Sequence, residues 1–127
     1  MTGGPDQSLP RSRRLIRSSH FQEAFKQSRV AVGRYMVARL RVGEDANRRL
    51  GIITSRKVGP AVHRSLARRR LREAWRRNRH QIIDGQDVLL IARRPIVRAS
   101  SEAVESELIR LMKSLHVLKV DENRPTG

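Results

Sequence analysis

The chain has 127 residues, with 28 Lys plus Arg against 12 Asp plus Glu and a formal net charge of +16. A single domain's length with 38% hydrophobic residues permits a modest core, while so basic a balance argues against most small soluble enzymes and for a polyanionic partner. The absence of Cys excludes disulfides, Cys-ligated zinc and a thiol nucleophile.

Residues 1–14 hold Gly3, Gly4, Pro5 and Pro10, then Arg11, Arg13 and Arg14, with little to bury, and read as a disordered basic arm. Residues 120–127, polar from Asp121 on, read as a flexible tail, leaving residues 15–119 as one expected folded domain. Ser19 and Gln22 at capping-box spacing, with Phe21, Ala24 and Phe25 on one face, predict a short helix over 21–27. A period of two follows over 30–42: Met36, Ala38, Leu40 and Val42 point one way, Tyr35, Val37, Arg39 and Arg41 the other, and Gly33 divides the stretch into two strands. Residues 43–47 read as a hairpin loop leading to a strand over 49–54, which predicts three antiparallel strands. Gly59-Pro60 opens a helix over 60–79 with Pro60 at its first position. Asp84-Gly85 supplies a turn, and the aliphatic run over 87–92 suits a strand buried on both faces. Ser100 or Ser101 caps a last helix with the buried stripe Val104, Leu108, Leu111, Met112 and Leu115. The order helix-βββ-helix-β-helix is that of an α+β sandwich on a four-stranded sheet. The longest apolar run, residues 88–92, is far short of the ~20 residues that span a bilayer, and the N-terminal stretch lacks the apolar segment of a secretory signal. The expected location is cytoplasmic, with no membrane.

Residues 56–79 hold nine Arg and Lys57 against Glu73 alone, a net +9 and more than half of the chain's excess. On a helix, Arg64, Arg68, Arg69, Arg72, Arg76 and Arg79 share an arc of roughly 140°, beside Ala67, Leu71, Ala74 and Trp75, which supply a face to pack. Surface solubility is normally served by mixed signs. A face of one sign on an anchored helix is instead a ridge for phosphates, and arginine's planar fork suits them.

Spacing alone favours core positions for Phe21 and Phe25; exposed beside the ridge, they would stack on single-stranded bases. Val37 and Arg39 share a strand face and could line the same groove. His20, His63, His80 and His116 show no metal-ligand spacing, and a turn explains Asp84 and Asp87 more simply than a shared ion does. There is no convincing Ser/His/Asp arrangement, P-loop or HExxH. The residues by themselves describe a chain that binds RNA or DNA without doing chemistry.

The run Ser55-Arg-Lys-Val-Gly-Pro-Ala-Val-His-Arg-Ser-Leu-Ala-Arg-Arg-Arg-Leu-Arg-Glu-Ala-Trp75 resembles the signature of the bacterial ribonuclease P protein subunit. Phe21-Gln-Glu-Ala-Phe25-Lys resembles that family's first helix, and Asp87-Val-Leu-Leu-Ile-Ala-Arg-Arg-Pro95 its last strand. Arg64 keeps its place in the family's Arg-Asn-Arg, but Ser65 and Leu66 replace the other two residues, and Arg39 stands where relatives often have an aromatic. The resemblance implies a mixed sheet with a left-handed βαβ crossover, against the usual right-handed rule. It implies an auxiliary protein subunit, inactive alone, that joins a catalytic RNA and helps it hydrolyse the 5′ leader from precursor tRNA. Magnesium would be held mainly by the RNA, with none bound by the protein and no catalytic residue in it. Arg56, Lys57, Arg64, Arg68, Arg69, Arg72 and Arg76 would meet the catalytic RNA. Phe21, Phe25, Val37, Arg39, Ser65 and Arg68 would line the leader groove. No obligate protein partner is implied. A basic ribosomal or ribosome-associated protein is the alternative reading, ahead of a DNA-binding helix module or an intrinsic nuclease.

Overall fold

The aliphatic run with one acid at its start, Asp87-Val-Leu-Leu-Ile-Ala92, forms the spine of the fold. The computed structural model describes residues 18–27, 29–43 and 45–119, with side chains from residue 22 onward; the expected arm over 1–14 and tail over 120–127 lie outside the described residues. The chain forms α1 (Ser18–Lys26), β1 (Val30–Val32), β2 (Met36–Val42), β3 (Leu50–Ile53), α2 (Ala61–Asn78), β4 (Gln86–Ala92) and α3 (Ser101–Ser114). Short 3-10 turns at Arg56–Val58, Arg79–Gln81 and Arg94–Arg98 link them. This is the expected α+β order, on a mixed sheet with strand order β1-β2-β4-β3.

One face of the sheet carries the core. Met36, Ala38 and Leu40 of β2, Leu50 of β3, and Val88, Leu90 and Ala92 of β4 pack against Ala67, Leu71, Ala74 and Trp75 of α2 and Val104, Leu108, Leu111 and Met112 of α3. Each large side chain withdrawn from water here contributes roughly 1.5–3 kcal/mol. Ser100 caps α3 by accepting the Ala103 N–H at 3.1 Å, and the expected stripe through Leu115 is buried.

The expectation of three antiparallel strands is corrected. Only β1 and β2 form an antiparallel hairpin; β2 then pairs antiparallel with β4, and β3 runs parallel to β4 on its far side. Residues 43–49 therefore carry the chain past β4 instead of folding β3 back on β2. The physical reason is the buried Asp87 carboxylate, which accepts the backbone N–H groups of Asn47 and Arg49, each at 3.0 Å, and draws the entry to β3 beside β4. Strict alternation also fails at the end of β2. Val42 is exposed and Arg41 is buried, because Arg41 pairs with Asp87 at 2.7 Å. Pro60 is the N-cap of α2 and not its first residue, having extended backbone angles. Ser19 lies inside α1, which begins at Ser18.

The β1–β2 turn is held from across the molecule. The buried Glu107 carboxylate of α3 accepts the backbone N–H groups of Arg34 at 2.6 Å, Tyr35 at 2.8 Å and Met36 at 3.0 Å. A Cβ at Gly33 would stand 2.4 Å from Glu107 Cδ, so the glycine that divides the two strands is there for room. Glu107→Ala leaves three donors without their partner and is expected to lower stability by about 3 kcal/mol. A urea midpoint unmoved from that of the parent chain would show that the turn does not need the carboxylate.

Candidate nucleic-acid interface

α2 turns its charge outward because its other face is taken. Ala67, Leu71, Ala74 and Trp75 are all buried against sheet and α3, which leaves Arg68, Arg69, Arg76 and Arg77 exposed and Arg64 and Arg72 half-buried. The preceding 3-10 turn adds exposed Arg56 and Lys57. The ridge is not uniform. Arg76 is held by Glu73 at 2.6 Å, and that hydrogen bond, against opposing desolvation, lowers the Glu73 pKa. Arg77 reaches Glu105 of α3 at 3.0 Å, and Arg70 is drawn to the Ala99 carbonyl. Among the described residues, Arg56, Lys57, Arg64 and Arg68 meet no carboxylate, whereas Arg69 acts on Glu73 electrostatically, so the strongest unneutralised charge lies at the N-terminal half of the ridge.

The sheet face opposite the core is only partly covered. α1 lies over one end of it, with Ala24 packed among Leu89, Ile53 and Ile91. Gln27 fastens the end of α1 to β2, its side-chain amide donating to the Val42 carbonyl at 3.0 Å and accepting the Val42 N–H at 2.8 Å. Beside α1 runs an apolar row set by strand register: Val32 opposite Val37, Val37 opposite Ile91, and Ile91 opposite Ile53. Phe25 stands at its margin, 47% exposed, with the Arg39 guanidinium 5.0 Å over its ring. The core position favoured for Phe25 by spacing is thus corrected; Ala24 takes the place packed against the sheet, and Phe25, the next residue round the helix, stands outside it. The backbone of Phe21 belongs to α1, and its side chain lies outside the described residues.

Ridge and groove meet at Arg68, whose guanidinium donates to Thr54 Oγ1 at 2.7 Å just beyond β3. Exposed Ser65 lies one turn earlier on α2. The structure therefore brings Phe25, Val37 and Arg39 together on one sheet face and sets Ser65 and Arg68 on the adjoining helix, while Arg69, Arg72 and Arg76 continue along α2. Ile53, Thr54 and Ile91 were missed by sequence reasoning; their place follows only from the parallel pairing of β3 with β4.

A buried ion network fixes this arrangement and was also missed. Asp87, fully buried, meets Arg41 at 2.7 Å and Arg49 at 2.9 Å. Arg41 continues to Glu23 of α1 at 2.7 Å and to Asp45 at 2.6 Å, so α1 is tied to the sheet through it. Desolvation raises the Asp87 pKa, but hydrogen bonds from Arg49, the backbone and Arg41 together outweigh it and leave the pKa below the ordinary aspartate value. Desolvation likewise opposes the charge of Arg41, and its bonds to Asp45, Glu23 and Asp87 prevail, raising its pKa. An acid at the head of an aliphatic run, with Arg41 near the end of one strand and Arg49 just before another, is the signal that could have exposed the network.

Fold and ridge together define a small, basic α+β protein of the nucleic-acid-binding kind. Comparison with known proteins narrows the class. The family model described as Ribonuclease P matches residues 9–116, and the chain belongs to the ribonuclease P protein family. It is similar to the ribonuclease P protein component of Desulforapulum autotrophicum, with 32% identity covering 85% of this chain and 92% of the relative. It is also similar to that of Brevibacillus brevis, with 36% identity covering 87% and 89%. Among solved structures, the Staphylococcus aureus RNase P protein aligns with a TM-score of 0.73 at 26% identity, covering 84% of this chain and 98% of that one. The Thermotoga maritima RNase P protein aligns with a TM-score of 0.70 at 31% identity, covering 80% and 96%. The chain is accordingly a protein component of the ribonuclease P enzyme, a role in tRNA processing with an RNA partner. No helix among the described residues is long and apolar enough to cross a membrane.

Asp87 binds protons less readily folded than unfolded, so its contribution to stability is complete above the ordinary value of 3.8 and is lost as pH falls through the lower folded value. Asp87→Asn is expected to cost about 3 kcal/mol at neutral pH, because it strands Arg41 and Arg49, and to flatten the decline of stability with acid. Urea titrations between pH 6 and pH 2 on both proteins check this; parallel declines would remove Asp87 as the source.

Proposed function

We propose that the protein binds the catalytic RNA of ribonuclease P along α2 and the 5′ leader of precursor tRNA in the groove beside α1. In this role it assists the RNA in hydrolysing the leader from the mature 5′ end. The observation that carries the reading is the junction at Arg68, where the arginine ridge of α2 meets an apolar groove edged by Phe25 and Arg39. Phosphates of the catalytic RNA take Arg56, Lys57, Arg64, Arg68, Arg69, Arg72 and Arg76. The leader, single-stranded, lies across Val37 with bases against Phe21 and Phe25, its backbone near Arg39, Ser65 and Arg68. Such a surface suits unpaired nucleotides, since every base has an apolar face to stack and every linkage a charge to neutralise.

The work done by the protein is electrostatic and positional. Substrate and catalytic RNA repel one another, and a protein with a net charge of +16 between them offsets that repulsion while holding the leader in one register. No three His, Asp or Glu side chains gather as a metal-binding group among the described residues. In this reading the magnesium of the reaction is placed with the RNA. No residue of the chain is assigned a catalytic part. The site of action is the cytoplasm, where precursor tRNA is made.

Cleavage of a leader-bearing precursor tRNA at low magnesium, with ribonuclease P RNA alone, protein alone and both together, tests the reading. Activity at the mature 5′ end only in the mixture is expected; failure to rescue the RNA would favour a ribosomal role. One solved Staphylococcus aureus relative, 25% identical with a TM-score of 0.77, is a mutant with defective mRNA degradation activity. An mRNA in the protein-alone arm therefore tests the assigned lack of intrinsic cleavage, with intact mRNA expected. The double variant Arg68→Ala, Arg72→Ala is expected to weaken binding to the catalytic RNA and reduce the slope of log K against log salt by about 2; filter binding across a salt series measures it. Phe25→Ala and Phe21→Ala are each expected to weaken binding of leader-bearing over mature tRNA by about tenfold, the worth of one stacked base. Equal losses for both substrates, in variants whose circular dichroism is unchanged, would remove the groove.

A further inference from the structure

A second concavity of about 690 Å³ opens where the β1–β2 turn, the entry to α2 and the 3-10 turn after β4 come together. It shares no residue with the leader groove. Its lining is of two kinds. Half-buried Tyr35, together with Pro60 and Pro95, offers flat apolar surface, and Arg34, Arg94 and Arg98 stand around it, all exposed. Among the described residues none of these three guanidiniums forms an ion pair with a carboxylate. Arg94 is oriented by its Nε, which donates to the Lys57 carbonyl at 3.2 Å, and the Arg34 guanidinium lies 6.0 Å from the Tyr35 ring centroid.

The pocket is built before any ligand arrives. The three hydrogen bonds from the β1–β2 turn to Glu107 fix the backbone that carries Arg34 and Tyr35. Arg93 adds two more ties, its guanidinium donating to the Gly33 carbonyl at 2.7 Å and its backbone N–H to the Tyr35 carbonyl at 2.9 Å. A rigid aromatic and proline surface within a ring of unpaired guanidiniums selects a ligand that is flat, apolar on its faces and anionic at its edge. The volume lies within the range of roughly 300–1,000 Å³ typical of small-ligand pockets, far larger than a bare phosphate needs.

We infer that this pocket takes a single unpaired nucleotide of the bound catalytic RNA, its base against Tyr35 and the prolines and its phosphate among Arg34, Arg94 and Arg98. The inference rests on the RNA-binding reading of the ridge, for Val58-Gly59-Pro60 of the pocket wall directly continue Arg56 and Lys57. A strand lying on the ridge can therefore turn one extruded base into the pocket without leaving the protein. Such a contact reads the RNA's shape at one point, whereas the ridge reads only its charge.

Tyr35 is the only tyrosine of the chain, so its ring protons report on the pocket alone. The full chain is titrated with adenosine 5′-monophosphate, ribose 5-phosphate and inorganic phosphate while those signals are followed by NMR. Adenosine 5′-monophosphate is expected to shift them, the two base-free probes to leave them near their starting positions. The double variant Arg34→Gln, Arg98→Gln is expected to weaken the mononucleotide at least tenfold, with Trp75 fluorescence unchanged as the check on folding. In the assembled complex, catalytic RNA carrying 4-thiouridine is expected to photocrosslink to the peptide containing Tyr35. Equal shifts with inorganic phosphate, or none with the nucleotide, would overturn the pocket. A nucleotide-induced shift without the crosslink would overturn its assignment to the bound RNA in favour of a free nucleotide. Failure of the ridge reading is separate, appearing as an unchanged salt slope in Arg68→Ala, Arg72→Ala.

Discussion

The groove beside α1 is placed by one buried carboxylate. Asp87 has no exposed surface, and its two oxygens accept from the backbone of Asn47 and Arg49 and from the side chains of Arg41 and Arg49. A lone ion at that depth would be strongly unfavourable; here each lone pair is met, so the ion specifies geometry. It seats β3 parallel to β4, and through Arg41 and Glu23 it sets α1 on the open sheet face. Strand order, groove and the take-off point of α2 all follow from that arrangement.

The remainder of the site is a division of labour between two faces. The core face of the sheet uses α2 and α3 to bury the molecule's large apolar side chains, including Trp75. That burial makes the outer face of α2 rigid and obliges its arginines to share a narrow arc, where like charges at neighbouring turns oppose one another. A polyanion relieves the opposition, so the strain of the free ridge is part of its affinity. On the other sheet face, among the described residues, α1 lies over one end and the row from Val32 to Ile53 beside it stays partly exposed. Charge and apolar row thus come from opposite sides of the same sheet and, among the described residues, meet at its edge, at Arg68 and Thr54.

Much of this was legible in the sequence, and the failures share a cause. Helical period, caps and the aliphatic run identify every element in order, because each depends on contacts only a few residues apart. The buried arc of α2 and the stripe of α3 are likewise periodic, and the structure buries each of those residues. The partner of β3 depends instead on a residue some forty positions away, and local pattern prefers the short hairpin. The same distance hides Glu107, which reads as one more surface acid of an amphipathic helix yet closes the β1–β2 turn. Phe25 shows the complementary limit: period identifies its face of α1 but not how far the sheet extends beneath it. The charge ridge was plain because composition alone exposes it, while the apolar half of the groove needed the strand register.

The position of α2 has a consequence for how the chain folds. It is the connection between adjacent parallel strands, with 32 residues separating Ile53 from Gln86, so closing the β3–β4 ladder also gathers the arginine-rich segment over the sheet. The slow, non-local step of folding is therefore also the step that concentrates positive charge. Ions that screen the segment lower that barrier, and a polyanionic strand that gathers it in advance acts as a template. The RNA that the finished protein binds is, by the same electrostatics, suited to hasten the folding of the protein.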